Sequence, residues 1–291
     1  MKLVRFDGHK IGVVRDGLVI DVSDIAGASA AEWPPVAMNR LIADFARVRP
    51  QIEKAMARPG TPIGTVKLLT PVPFASKVVA YPVNYRDHGA EMGASYTAKN
   101  QGFFLKPPSS LSGASEPIVL PAISGRRIDH ECELGIIIGK ECRDLPRERW
   151  DEAVFGYSCL IDVVVRGKEE RVARKGYDTF CPVGPWIVTK DEVGSPANLR
   201  GRLWVNEEIR QDANTRDLIL DVPGMIEMAA AVMTLYPGDI IAAGTPAGVG
   251  PVKAGDKVRI EFERIGEMTL DVVQGTGGKA ACFSPATEGA A

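Results

Sequence analysis

The sequence predicts an α+β fold in which strands predominate: a small N-terminal α+β unit followed by a larger, mainly β unit. Three observations lead there. From Lys77 onward, short β-branched and aliphatic runs recur, each bounded by Gly, Pro, Asn or Asp. Helical spacing of apolar residues is confined to two stretches, 36–56 and 223–233. A Pro- and Gly-rich connector, PGTPIGTVKLLTPVPF (59–74), separates the first sixty residues from the rest. The expected divisions are a small N-terminal domain over 1–70, a larger domain over 71–275 and a loose C-terminal tail over 276–291.

In the N-terminal unit, KLVRF, IGVVR and LVIDV read as short strands separated by Asp7-Gly8 and Asp16-Gly17, both hairpin signals. Leu41, Ile42, Phe45, Val48 and Ile52 then recur at helical spacing. In the larger unit KVVAY, PIVLP, ELGIIIG, CLIDVVV, PWIVT and RLWVN read as strands. KVRIEFERIGEMTLDV (257–272) alternates Val258, Ile260 and Phe262 with charged residues and turns near Gly266, the pattern of a half-exposed hairpin. A helix over Pro223–Met233 opens with proline, which suits a first turn. The closing GTGGKAACFSPATEGAA is small and polar and is expected to be loose.

At 291 residues the chain suffices for a large domain or a large and a small one. A net charge of −2 and the lack of a basic patch interleaved with aromatics point away from nucleic acid and from an anionic membrane. There is no run of eighteen apolar residues, and MKLVRFDGHK lacks a signal peptide's apolar stretch, so the expected compartment is the cytoplasm. Five cysteines without a C-x-x-C pair, and three histidines, argue against a zinc site or a disulfide framework.

The chemistry gathers around carboxylates. IDHECELGIIIG (128–139) carries Glu131 and Glu133 into an aliphatic strand, where alternation puts both on one face. Two residues of rise separate them by about 6.7 Å, at which two charges repel by about 2.5 kcal/mol at an effective dielectric near 20. Cys132, between them, should face the other way as a small core residue. Asp162 lies in the β-branched run of YSCLIDVVVRG, where a carboxylate needs a cation partner. Spacing alone leaves two readings open. Either the three carboxylates share a hard divalent cation, Mg²⁺ or Mn²⁺, or Arg126, Arg127 or Arg166 pairs with them in a structural ion network.

In NYRDHGAEM (84–92), His88 and Glu91 stand three apart, so on a helical turn Glu91 would orient His88 as a general base. The local alternative is a solvated surface turn. Lys175 in ARKGYDTF reads locally as a surface lysine. AAGTPAGVG (242–250) lacks both the P-loop ending and the helix of a dinucleotide turn. It reads instead as a tight loop in which Thr245 and backbone amides meet a small anion. Cys181 has no histidine near it in sequence and carries little weight as a nucleophile.

Taken in order, NYRDHGAEM, FFLKPPSSL, IDHECELGIIIG, GYSCLIDVVVRG, KGYDTFCPVGPWIVT, QDANTRDLI and LYPGDIIAAGTPAGVGPVKAGD resemble the fumarylacetoacetate hydrolase family, over about residues 77–273. The resemblance implies a mixed β-roll catalytic domain, usually dimeric, holding one Mg²⁺ or Mn²⁺ per subunit. Residue by residue, it carries the metal ligands to Glu131, Glu133 and Asp162. It carries the catalytic dyad to His88 and Glu91 and the loop lysine to Lys175. Within the same motifs Thr245, Lys106, Arg86 and Tyr177 are assigned to substrate binding.

The implied activity is metal-dependent hydrolysis of the C–C bond of an acylpyruvate, of the fumarylpyruvate or maleylpyruvate kind, to pyruvate and a carboxylic acid. The same residues serve a 2-hydroxyhepta-2,4-diene-1,7-dioate isomerase or an oxaloacetate-type 2-oxo acid decarboxylase, and the dyad tips the reading towards hydrolysis. A non-catalytic metal-binding protein ranks lowest, since neither ligand nor dyad is lost. The sequence departs from the family at Val164, Gly167 and Glu169, where threonine, an acidic residue and glutamine are frequent, and at Pro82, where glycine is usual. These changes spare the ligands and bear on substrate identity.

Overall fold

The computed structural model describes residues 1–283. Lys2–Phe6 (β1), Lys10–Arg15 (β2) and Leu18–Asp21 (β3) form an antiparallel meander. Its second turn is the two-residue Asp16-Gly17, with φ of 49° and 75°, the left-handed pair whose twist matches that of the strands. The amphipathic stretch expected over 36–56 is two helices, Ala37–Ala43 (α1) and Phe45–Ala55 (α2). They meet at Asp44, whose backbone leaves the helical region, because aspartate competes for backbone hydrogen bonds inside a helix. Met38, Leu41, Ile42, Val48 and Ile52 pack there against Ile11, Val13 and Ile20. In the connector, Thr61–Pro62 and Leu68–Leu69 are short strands paired with β3 and β1.

Next come Val78–Ala80 (β4), Arg86–Met92 (α3), Phe104–Lys106 (β5), Ile118–Leu120 (β6), Ile128–His130 (β7) and Cys132–Ile138 (β8). Val154–Ile161 (β9), Val164–Val165 (β10), Arg171–Lys175 (α4) and Cys181–Thr189 (β11) follow. The chain closes with Arg200–Val205 (β12), Glu208–Asn214 (β13), Val222–Val232 (α5), Ile240–Ala242 (β14), Gly250–Pro251 (β15), Lys257–Phe262 (β16) and Gly266–Gln274 (β17).

The large mixed sheet runs β3-β2-β1-β11-β9-β8-β14-β4-β5, so the N-terminal meander continues it through the pairing of Lys2 with Val188. A second sheet, β13-β12-β16-β17-β6, lies over it. Leu134, Ile136, Tyr157 and Cys159 of the first share a core with Leu203, Ile260, Phe262 and Leu270 of the second. The alternation expected in 257–262 is observed, with Val258, Ile260 and Phe262 buried. Helix α5 begins one residue before the expected proline because Asp221 caps it, accepting from Gly224 N at 3.1 Å. A third, small sheet, β10-β7-β15, stands at the end of the first.

That small sheet explains two interruptions. Both IDHECELGIIIG and CLIDVVV pass from one sheet to another, the first at Glu131 and the second at Asp162. The two breaks lie side by side, with Asp162 N donating to Glu131 O at 2.9 Å. At the C-terminus Phe283 is buried against Tyr177 in a short 3₁₀ turn, while residues 284–291 of the expected tail lie outside the described residues.

Candidate active site

Glu131, Glu133 and Asp162 are buried, and one oxygen from each lies within 4.8 Å of the others. Strand β8 supplies Glu133, and the two sheet-to-sheet breaks supply the others. The cations facing them are lysines. Lys175 Nζ sits 2.8 Å from Glu131 Oε2 and 2.5 Å from Asp162 Oδ2. Lys106 Nζ holds the other Asp162 oxygen at 2.6 Å and also donates to the carbonyls of Lys175 and Phe180. Of the arginines considered above, Arg126 pairs with Glu169 and Arg127 with Asp129. Arg166 pairs with Asp129 at 2.6 Å, and its Nη2 stands 3.3 Å from Glu131 Oε1 without hydrogen-bond geometry.

Among the described residues Glu133 has no cation partner. Its Oε2 accepts from Gly244 N at 2.7 Å. Burial, reinforced by the charges of Asp162 and Glu131, pushes its carboxyl well above the usual range. Burial also pushes Asp162 up, but the ammoniums of Lys106 and Lys175 outweigh it and hold that carboxyl low. Three converging oxygens, one of them uncompensated, form a hard donor set that fits one divalent cation of the Mg²⁺ or Mn²⁺ kind. The Lys175 ammonium lies against two of the three in the manner of a partial stand-in.

His88, on α3, is buried, and its Nδ1 lies 3.1 Å from Glu91 Oε2. Glu91 Oε1 accepts from Gly248 N at 3.0 Å. The glycine-rich loop thus turns two backbone amides, of Gly244 and Gly248, onto protein carboxylates. At Gly244 a φ of 91° and a would-be Cβ 2.6 Å from Asn84 Cβ exclude any side chain. Thr245 is buried, and its hydroxyl oxygen accepts from Gln211 Nε2 at 2.7 Å.

The carboxylates, His88, Lys175 and Thr245 all line one cavity of about 360 Å³. Lys106 lies behind Asp162, outside the cavity lining. Arg86 is exposed on α3 and does not reach the lining, and Tyr177 is turned away, its hydroxyl bonded to Gly278 O. Sequence reasoning missed Gln211, Tyr96, Phe104, Arg171 and Arg174. Gln211 and Phe104 stood inside the motifs QDANTRDLI and FFLKPPSSL without a role, and the i, i+3 arginines of RVARK were the signal for Arg171 and Arg174.

Comparison with known proteins matches residues 77–273 to the family described as fumarylacetoacetate (FAA) hydrolase C-terminal. Maleylpyruvate hydrolase of Aquipseudomonas alcaligenes is 44% identical over 288 residues, covering 94% of this chain and 99% of that protein. The crystal structure of maleylpyruvate hydrolase from Sphingobium sp. SYK-6, in complex with manganese(II) and pyruvate, is 56% identical. It aligns with a TM-score of 0.88 over 95% of this chain and 100% of its own. The 2-hydroxyhepta-2,4-diene-1,7-dioate isomerase of Mycobacterium marinum is 40% identical over 76% of this chain and 82% of its own, with a TM-score of 0.66.

Proposed function

The chain belongs to the fumarylacetoacetate hydrolase family, and on that premise we propose that it hydrolyses the C–C bond of an acylpyruvate of the maleylpyruvate or fumarylpyruvate kind. The observation that carries this reading is the meeting, in one cavity, of a buried carboxylate triad with His88, which Glu91 holds from outside the lining.

Glu131, Glu133 and Asp162 would hold one Mg²⁺ or Mn²⁺, which when bound supplies Lewis-acid polarisation of a 2-oxo acid. Glu91, anchored by the Gly248 amide, accepts from Nδ1 of His88 and so leaves Nε2 as the basic nitrogen. Nε2 takes a proton from water, whose oxygen adds to the distal acyl carbonyl of the 2,4-dioxo acid. The adduct then breaks the bond between that carbon and C3. The electron pair leaves as pyruvate enolate, whose charge the Lys175 ammonium, in the cavity lining beside Asp162, would stabilise. Protonated His88 returns its proton to C3, giving pyruvate and the free acid. Gln211 donates to Thr245 Oγ1, so the threonine hydroxyl hydrogen is left to donate to the substrate's 2-oxo carboxylate.

The test follows loss of the enolised dioxo absorbance of maleylpyruvate, fumarylpyruvate and acetylpyruvate with Mg²⁺ or Mn²⁺, with pyruvate assayed enzymatically. Stoichiometric pyruvate, abolished by chelator, is the expected result. CO₂ release from oxaloacetate, or isomerisation of a hydroxydienoate with all three acylpyruvates untouched, would overturn it. The proposal includes a cytoplasmic homodimer that binds neither nucleic acid nor membrane, to be checked by light scattering and cell fractionation.

A further inference from the structure

We propose that Arg171 and Arg174 form a second carboxylate subsite in the cavity, so that the enzyme selects substrates with an anionic distal group. The subsite rests on the acylpyruvate reading above and adds to it the residues that choose the acyl group. Both arginines lie on α4, one turn apart and therefore on one face, and both line the cavity that holds the triad.

Neither meets a carboxylate among the described residues. Arg171 Nη2 donates to the Tyr96 hydroxyl at 2.8 Å, and its guanidinium lies 5.5 Å from the Tyr96 ring centre and 5.8 Å from that of Phe104. Arg174 Nε donates to the backbone carbonyl of Glu169 at 2.7 Å. Neutral groups thus aim both side chains and leave their remaining N–H groups free. Glu169, whose backbone carbonyl meets Arg174, has its carboxylate taken up by Arg126, which grips both its oxygens at 2.9 and 2.7 Å.

Charge accounting points the same way. Of the four cations in the lining, Lys175 is tied to Glu131 and Asp162, and Arg166 to Asp129. Arg171 and Arg174 remain. Burial and the neighbouring Arg166 and Arg171 charges pull the Arg174 pKa down, outweighing the opposing charges of Glu131 and Glu169. The 2-oxo carboxylate is common to every acylpyruvate and belongs with the triad, Lys175 and Thr245. Two free guanidiniums beside aromatic walls call for a second carboxylate at the far end of the acyl chain, which planar N–H forks receive bidentately.

The test compares fumarylpyruvate, which ends in a carboxylate, with acetylpyruvate, which ends in a methyl group, on wild type, Arg171→Gln, Arg174→Gln and Arg174→Lys. Each glutamine variant is expected to lose about 10- to 100-fold more kcat/KM on fumarylpyruvate than on acetylpyruvate, chiefly through KM. The lysine variant should recover part of the difference. Equal losses on both substrates, or no loss, would overturn the subsite and leave α4 a structural role. Circular dichroism and thermal unfolding identify any variant that fails to fold.

A second readout, independent of turnover, is calorimetric binding of maleate and isocrotonate with chelator present. Maleate binding weakened at least about tenfold by either glutamine substitution, with isocrotonate weak throughout, supports the subsite even if no acylpyruvate is hydrolysed. In that case the functional reading alone falls. Maleate binding that is absent from wild type, or equal in all proteins, overturns the subsite whatever the kinetics.

Discussion

Replacing Lys106 by methionine isolates how the interior accommodates Asp162. The lysine is buried to 1% exposure, and its ammonium makes three contacts: Asp162 Oδ1 and Lys175 O, both at 2.6 Å, and Phe180 O at 3.2 Å. Methionine keeps most of the stem and removes the charge. Breaking one side of a buried ion pair costs about 3–5 kcal/mol. Asp162 retains Lys175 at 2.5 Å, so the lower end, about 3 kcal/mol, applies. At about 2–4 °C per kcal/mol for a chain of this class, the midpoint should fall by roughly 6–12 °C. The assay is thermal unfolding followed by circular dichroism at neutral pH with chelator. Adding Mn²⁺ should raise the variant more than the wild type, because a cation at the triad replaces part of the missing charge. A chelated midpoint within about 2 °C of wild type would refute the view that Asp162 depends on Lys106.

Three further outcomes follow from the same geometry. At a hundredfold excess over its dissociation constant, Mn²⁺ should stabilise the wild type by about 2.7 kcal/mol. Glu133→Gln should lose most of that gain, and an undiminished calorimetric response would remove Glu133 from the ligand set. His88→Ala should lower kcat by about 10²–10⁴-fold with Mn²⁺ affinity retained, and Glu91→Gln should lower it less; steady-state kinetics on the productive acylpyruvate decides this. Glu169 is held at about 2 by its hydrogen bonds from Arg126, below the usual value near 4.5. A depressed carboxyl contributes stability above its unfolded value and loses it as pH falls through its folded value. The midpoint difference between wild type and Arg126→Gln should therefore be full above about pH 4.5 and shrink towards pH 2. A difference constant across that window would show that Arg126 acts through packing alone.

Much of the fold was legible because its signals are local. The Asp16-Gly17 turn states its own backbone conformation, and alternation in 257–262 states which face is buried. The carboxylates announced themselves for a related reason: an acid inside an aliphatic run demands a counter-charge, whatever supplies it. Local reading failed where it could count only neighbours in sequence. Lys175 looked like a surface lysine beside Arg174 and Gly176, yet it is buried to 6% exposure against Glu131 and Asp162. Tyr177, two residues further on, packs outward against Phe180 and Phe283 instead of entering the cavity. The stretch over 36–56 was apolar at the right spacing throughout, and its break at Asp44 shows only in the backbone.

The sequence by itself determined the strands, the turns and the identity of the three acids, because periodicity, glycine and buried charge act over a few residues. Tertiary structure decided which cation meets which acid. Lys106 reaches Asp162 across 56 residues of chain, and Gln211 reaches Thr245 across 34. It also decided that Arg126 takes up Glu169 while Arg171 and Arg174 line the cavity without a carboxylate partner among the described residues. Charges attract without regard to sequence separation, so their pairing is set by which sheets the chain crosses and where it crosses them.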